Sequence, residues 1–183
     1  MKNTFLGICL LGLIAFAACR DNQANKKVPD LSADSIGTEA DARFVAAIGE
    51  SNLMGEQLGK LALSNTLSRP VVQLGRDMIE YYSNLNTELG GLVQSKSMGL
   101  PEVLNKEDQG KYEELLLKGS VDFDRAYLLF LAGRLEQEHN AFKNEIERGQ
   151  DHNIRQWASA KLPLLERQMA MVQSMQLSSD DKP

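Results

Sequence analysis

The chain predicts an all-α fold, an antiparallel bundle of four long helices with one extra short helix, on three observations. After Thr38 apolar residues recur at three- and four-residue intervals, which is the period of amphipathic helices. Alternation of the strand type is not sustained. Four long periodic segments and one short one are joined by brief connections rich in Gly, Pro and Ser, which favours neighbours packed antiparallel.

The first helix is expected from about Glu39 to Asn65, with Thr38 as N-cap and Phe44, Val45, Ile48, Leu53, Leu58, Leu61 and Ala62 on its buried stripe. Ser51 and Asn52 read as a local interruption. The second begins near Ser68, whose hydroxyl is expected to cap while Pro70 takes the first turn. It carries Val71, Leu74, Met78, Tyr82, Leu85, Leu89 and Leu92 and ends before Gly99-Leu100-Pro101. A short helix from about Asn105 to Leu117 leads through Lys118-Gly119-Ser120 into a long one from Val121 to Arg148, closed by Gly149. That long segment buries Phe123, Tyr127, Phe130, Leu131, Leu135, Phe142 and Ile146. The last helix, about Asp151 to Met175, places Ile154, Trp157, Leu164, Leu165, Gln168, Val172 and Met175 on one face, and Pro163 is expected to kink it.

Residues 1–18 read as a lipoprotein signal peptide. Lys2 supplies the positive start, Phe5 to Ala18 the short apolar region, and Ala17-Ala18 the small residues before Cys19. Cys19 is the expected lipidation site, so the partner of the mature chain is a membrane, reached through that lipid. Residues 19–37 are polar and aperiodic and read as a flexible tether; 38–177 form the bundle domain and 178–183 a disordered tail. Removing the signal takes away Lys2 and no acid, leaving 19 bases against 25 acids, a formal charge of −6. An acidic domain whose nearest basic pair is Lys26-Lys27, in the tether, offers no phosphate-binding stripe, so no nucleic-acid partner is expected. With Cys9 cleaved away and Cys19 acylated, no thiol remains for a disulfide, a metal or a nucleophile.

Glu136-Gln137-Glu138-His139 contains a Glu-x-x-His spacing, the unit that di-iron bundles use twice together with further glutamates. Only two histidines exist, and His152 has Gly149 at the position where a second copy would need its glutamate. Glu136 and His139 are therefore weak metal candidates, and His139 reads as a satisfied or solvated side chain beside the stripe of Tyr127, Leu131, Leu135 and Phe142. Tyr82 reads as core and Tyr81 as solvent-facing. Met169, Met171 and Met175 read as gap-filling core residues rather than copper ligands. No serine sits in a nucleophile elbow, and no catalytic residue is assigned.

Several of these segments carry a resemblance. Phe44-Val45 and Gly55-Glu56-Gln57-x-Gly59-x-Leu61-Ala62 in the first helix, Asp77-Met78-Ile79 in the second, Phe123-Asp124-x-Ala126-Tyr127 in the long helix and Leu162-Pro163-x-Leu165 in the last resemble the bacterial domain-of-unknown-function 4142 family. The resemblance spans Asp41 to Met175 and implies an exported bundle of ferritin-like fold, of a kind often described as outer-membrane proteins. It also implies histidines four residues past the methionine, eight past the tyrosine and six past the leucine of these landmarks. Here those positions are Tyr82, Leu135 and Gln168, so the family's histidines are replaced. Such a set does not hold a divalent ion. Tyr82 and Gln168 are expected instead to hydrogen-bond across the core.

The expectation is thus a lipid-anchored protein of the bacterial envelope, in the outer membrane and facing the periplasm. It is expected to be non-enzymatic and without a cofactor, acting through an envelope protein partner or in envelope maintenance. Two alternatives stand beside it. One is a metal-binding or redox protein of ferritin-like type using Glu50, Glu56, Glu80 and Glu136 with His139; the other is a small-molecule carrier with an open bundle interior.

Overall fold

The computed structural model describes residues 38–180. Residues 1–18, read from sequence as a signal segment, Cys19, the stretch to residue 37 read as a tether with Lys26-Lys27, and residues 181–183 lie outside the described residues. Within them are five helices and no strand: α1 (Glu39–Asn65), α2 (Arg69–Val93), α3 (Lys106–Leu116), α4 (Ser120–Arg148) and α5 (His152–Asp180). Three-residue links fold α1 onto α2 and α4 onto α5, and these two hairpins share the most extensive packing. α1 also packs on α4, α2 on α5, and the short α3 bridges α1 and α4.

Thr38 caps α1 through a reciprocal box. Its hydroxyl accepts from the Asp41 N–H at 3.3 Å, and the Asp41 carboxylate accepts from the Thr38 N–H at 2.6 Å. Ser68 holds the N-cap position of α2 without a side-chain cap bond, contrary to the sequence expectation. Its own N–H donates to Thr66 Oγ1 at 2.9 Å, so the link is organised by Thr66, and Pro70 in the first turn removes one N–H that would need a cap. Ser51 and Asn52 do not interrupt α1; the helix runs through both, and both are buried. α5 likewise stays continuous through Pro163, whose ring is on the exposed side, and it extends past Met175 to Asp180. Residues 178–180 are therefore helical rather than part of a disordered tail.

Two glycines of the α1 motif have a packing reason. A Cβ on Gly59 would lie 2.6 Å from the Gly75 carbonyl oxygen, and one on Gly75 would lie 2.8 Å from that of Gly59. The α1 and α2 backbones touch there, which is the close approach only glycine permits. A Cβ on Gly55 would meet the Tyr82 ring at 2.1 Å, so this glycine makes room for that aromatic. The core continues through Leu74, Met78, Leu85 and Leu89 of α2, Leu131, Leu135 and Phe142 of α4, and Ile154, Leu165 and Val172 of α5. Phe44, Phe142 and Trp157 join α1, α4 and α5, with ring centroids 5.5, 5.7 and 6.5 Å apart. Trp157 Nε1 donates to Glu88 Oε2 at 3.1 Å and Lys161 pairs with the same carboxylate, tying α2 to α5. The Lys161 bond lowers the Glu88 pKa; burial opposes it, and the Trp157 bond and the Lys161 charge add to the lowering.

Candidate functional site

Within α4 the buried stripe passes Leu131, Leu135, Glu138, Phe142 and Glu145, so its three-and-four spacing carries two acids into the interior. Glu138 is 4 % exposed and accepts a hydrogen bond from Tyr82 Oη at 2.9 Å. Arg134, one turn earlier on α4, donates from Nη1 to Asp108 at 2.8 Å and from Nη2 to Ser51 Oγ at 3.1 Å. Asp108 belongs to α3, whose N-cap Asn105 accepts from the Asp108 N–H at 2.9 Å and donates from Nδ2 to Glu50 at 3.2 Å. Side chains of α1, α2, α3 and α4 thus meet in one buried polar network. Its free space is a cavity of about 200 Å³ between α1 and α4, reached by Glu50, Ser51, Arg134 and Glu138.

The charge state of Glu138 is set by competing causes. Burial disfavours its carboxylate and outweighs the Tyr82 hydroxyl, the Arg134 charge and Ser51, which lower the pKa, so that the net pKa is raised to about 7. Burial and the neighbouring Glu138 charge together drive the Tyr82 phenol well above its usual range. Tyr82 is therefore the donor in this pair and keeps its proton throughout the physiological range.

A second network closes the end of the bundle where α1 begins. Asp41 Oδ1 accepts from the Gln150 N–H at 2.8 Å and the Asp151 N–H at 3.3 Å, while Oδ2 holds the α1 cap. Burial raises its pKa, but the bonds from Thr38, Gln150 and Asp151 outweigh that and leave it lowered. Asp151 Oδ1 accepts from the N–H groups of Asn153 and Ile154 at the start of α5, and Oδ2 pairs with Lys96 at 2.5 Å, both side chains being about 95 % buried. Glu145 is buried beside them. Burial first, then the charge and proximity of Asp41, raise its pKa to about 7.

The positions singled out from sequence fall differently. His139 Nε2 lies 3.3 Å from Glu166, and Glu136 is exposed, so the Glu-x-x-His pair does not converge. Glu56 pairs with Lys60 on the surface, Glu80 is exposed, and Glu50 alone of the proposed carboxylates reaches the network. Among the described residues no three His, Cys, Asp or Glu side chains gather at a spacing that would hold a metal ion. His152 opens α5 on the exposed side, and Met169, Met171 and Met175 are partly buried against the core. Leu135 is fully buried and Tyr82 is 1 % exposed. The expected bond between Tyr82 and Gln168 is not formed: Glu138, one turn beyond Leu135, takes the tyrosine, and Gln168 Oε1 is buried without a partner. Tyr81 is not solvent-facing. Its ring lies 5.0 Å from that of Tyr82, and its hydroxyl is buried and unpartnered.

These groups dictate a pH profile. Glu138 and Glu145 hold protons more tightly folded than unfolded, where both titrate near the ordinary 4.5. Between about pH 4.5 and pH 7 unfolding releases their protons, so stability falls as pH rises through that window. Glu138 alone accounts for roughly 3 kcal/mol. Asp41 has the opposite sign: its contribution is present above the ordinary 3.8 and is lost as pH falls through its lowered folded value. The melting temperature is expected to peak near pH 5 and to decline toward pH 8, with the decline reduced in Glu138→Gln. A melting temperature that climbs steadily from pH 5 to pH 8 would contradict these assignments.

Comparison with known proteins adds family and fold. No helix of the described residues is long and apolar enough to cross a membrane. The chain aligns in structure with a DUF305 protein from Streptomyces coelicolor, described as secreted, at a TM-score of 0.64 and 16 % identity, covering 82 % of this chain and 96 % of that one. At that identity the likeness concerns the fold. No curated protein matches the sequence. The family model of a domain of unknown function, DUF4142, matches residues 26–175, and the chain belongs to that family.

Proposed function

We propose that the mature protein is a non-enzymatic helical bundle of the bacterial envelope, held at the membrane by lipid on Cys19 and acting through a partner there. The observation that carries this reading is Ala17-Ala18-Cys19 after a short apolar run, followed by a polar stretch of tether composition. In this reading α1, α2, α4 and α5 make an antiparallel four-helix bundle of ferritin-like type and α3 is the extra short helix. The pairing of α1 with α2, of α4 with α5 and of the two hairpins with each other supports it.

The interior supports a scaffold better than an oxidoreductase. Tyr82, at one of the positions where the resemblance implies a histidine, is consumed by Glu138, and Leu135 fills a second such position with hydrocarbon. The outer membrane, facing the periplasm, is the proposed location. Cys19→Ser is expected to move the protein from the membrane to the soluble fraction on cell fractionation, with an unchanged helical circular dichroism spectrum. Intact mass of the wild-type chain should show acyl groups on a chain beginning at Cys19. Wild type in the soluble fraction with no lipid mass would sink the anchoring.

A further inference from the structure

We propose that the cavity between α1 and α4 is a binding site for a small organic cation, an ammonium or guanidinium group held between the carboxylates of Glu50 and Glu138. The cavity measures about 200 Å³ and is open to solvent on one side; Glu50, Ser51, Gln137 and Glu138 provide oxygen acceptors, and Ile48 and Ala141 an apolar wall. Bulk water takes roughly 30 Å³ per molecule, so a charged head with a short hydrocarbon stem fits.

Charge decides the ligand class. Arg134 is the cation on the cavity wall, and its guanidinium is committed to Asp108 at 2.8 Å and to Ser51 at 3.1 Å. Glu50 receives a neutral amide from Asn105, and Glu138 neutral hydroxyls from Tyr82 and Ser51. Neither is within ion-pair distance of a cationic side chain among the described residues, and the Arg134 charge, bonded to Asp108 and Ser51, offsets the burial of Glu138 only in part. A buried carboxylate whose counter-charge is incomplete is unfavourable, and an entering cation relieves that penalty. A divalent metal fits poorly: no three ligating side chains converge, and the Arg134 charge lies on the same wall. An ammonium or guanidinium needs only acceptors and tolerates loose geometry.

Binding should displace a proton. The groups facing Glu138 are Glu50 from α1, Tyr81 and Tyr82 from α2, Asp108 through Arg134 from α3, and Arg134 on α4 itself. Of these, the two tyrosines are held in their protonated form by burial, so the proton that a bound cation competes with is the one on Glu138.

The test is calorimetric titration of the full-length protein in detergent with putrescine, with magnesium and calcium chloride as competitors. Putrescine is expected to bind more tightly at about pH 8 than at about pH 6 and to release a proton at the lower pH. Glu50→Gln and Glu138→Gln should each weaken binding about tenfold or more. Ala141→Leu, which fills the apolar wall without touching a charge, should abolish it, so a folded variant with the acids intact also reports. Each variant is checked for helical content and cooperative melting. No heat at millimolar putrescine, an affinity unchanged in all three folded variants, or tighter binding of magnesium or calcium with loss of putrescine would overturn the proposal. None of these outcomes bears on the membrane anchor, which fractionation tests separately.

Discussion

Gly55→Ala is expected to destabilise the bundle by about 3 kcal/mol or more, because the added methyl would coincide with the Tyr82 ring. Three ring atoms lie within 2.6 Å of the Cβ position, and a ring that is 1 % exposed has nowhere to go without α1 and α2 separating. The overpacking strain adds to the loss of the Tyr82 bond to Glu138, which would leave a buried acid without its donor. Urea denaturation of both proteins measures the cost. A second pair of variants assigns the cause: in a Tyr82→Ala background the same Gly55→Ala change should cost less than about 1 kcal/mol, since the obstructing ring is gone. Equal costs in the two backgrounds would place the strain elsewhere.

Lys96→Met should cost about 3–5 kcal/mol, the range for breaking a buried ion pair by removing one member. Lys96 lies in the turn after α2, just before Ser97, whose φ of 55° carries the chain out of the helix. Its amine meets an Asp151 carboxylate that already caps α5 and sits near Asp41 and Glu145. Without the lysine three acids share a closed space with less positive charge, and the α4–α5 link loses its hold on α2. Lys60→Met is the control. It removes the exposed Lys60–Glu56 pair one turn apart on α1 and should cost no more than about 0.5 kcal/mol. Added salt should hardly change the Lys96→Met cost, because a buried pair is poorly screened. A cost below about 1 kcal/mol for Lys96→Met would show that Asp151 is solvated in the native state.

The helices were legible because their signals are local. Thr38 with Asp41 three residues on, Asn105 before Lys106, and Gly149 after Arg148 each act within one turn, and each boundary falls within a residue or two of the expected place. Ser68 misled because a hydroxyl at the right position caps only if its rotamer and the preceding chain allow it. Here Thr66 organises the link instead. Ser51 and Asn52 misled in another way. Polar residues inside an apolar stripe read as a break, yet Ser51 is held by Arg134 from a helix 83 positions away.

The site was the less legible part. The Glu-x-x-His spacing drew attention to Glu136, which is exposed, and His139, which is half-buried against Glu166, and away from Glu138 between them. The available signal was the stripe itself: Leu131, Leu135 and Phe142 leave Glu138 and Glu145 on the same face, and an acid on a buried face calls for a partner. That the partner would be Tyr82 depends on how α2 docks against α4, at a separation of 56 residues, which no local pattern encodes. The glycines were legible as a motif but not as physics. Gly55 and Gly59 acquire their meaning from the Tyr82 ring and the Gly75 carbonyl on α2, the other helix of the hairpin.

The most direct measurement is the titration of the Glu138 carboxyl by carbon NMR in glutamate-labelled protein, assigned by its absence in Glu138→Gln and repeated in Tyr82→Phe. An interior built around the Tyr82–Glu138 pair predicts a midpoint of about 7 in the wild type. It predicts a higher midpoint in Tyr82→Phe, because the tyrosine hydroxyl stabilises the carboxylate and its removal leaves burial less opposed. A midpoint in the ordinary carboxylate range in both proteins would mean that Glu138 is solvated and that the polar network at the centre of this bundle does not exist.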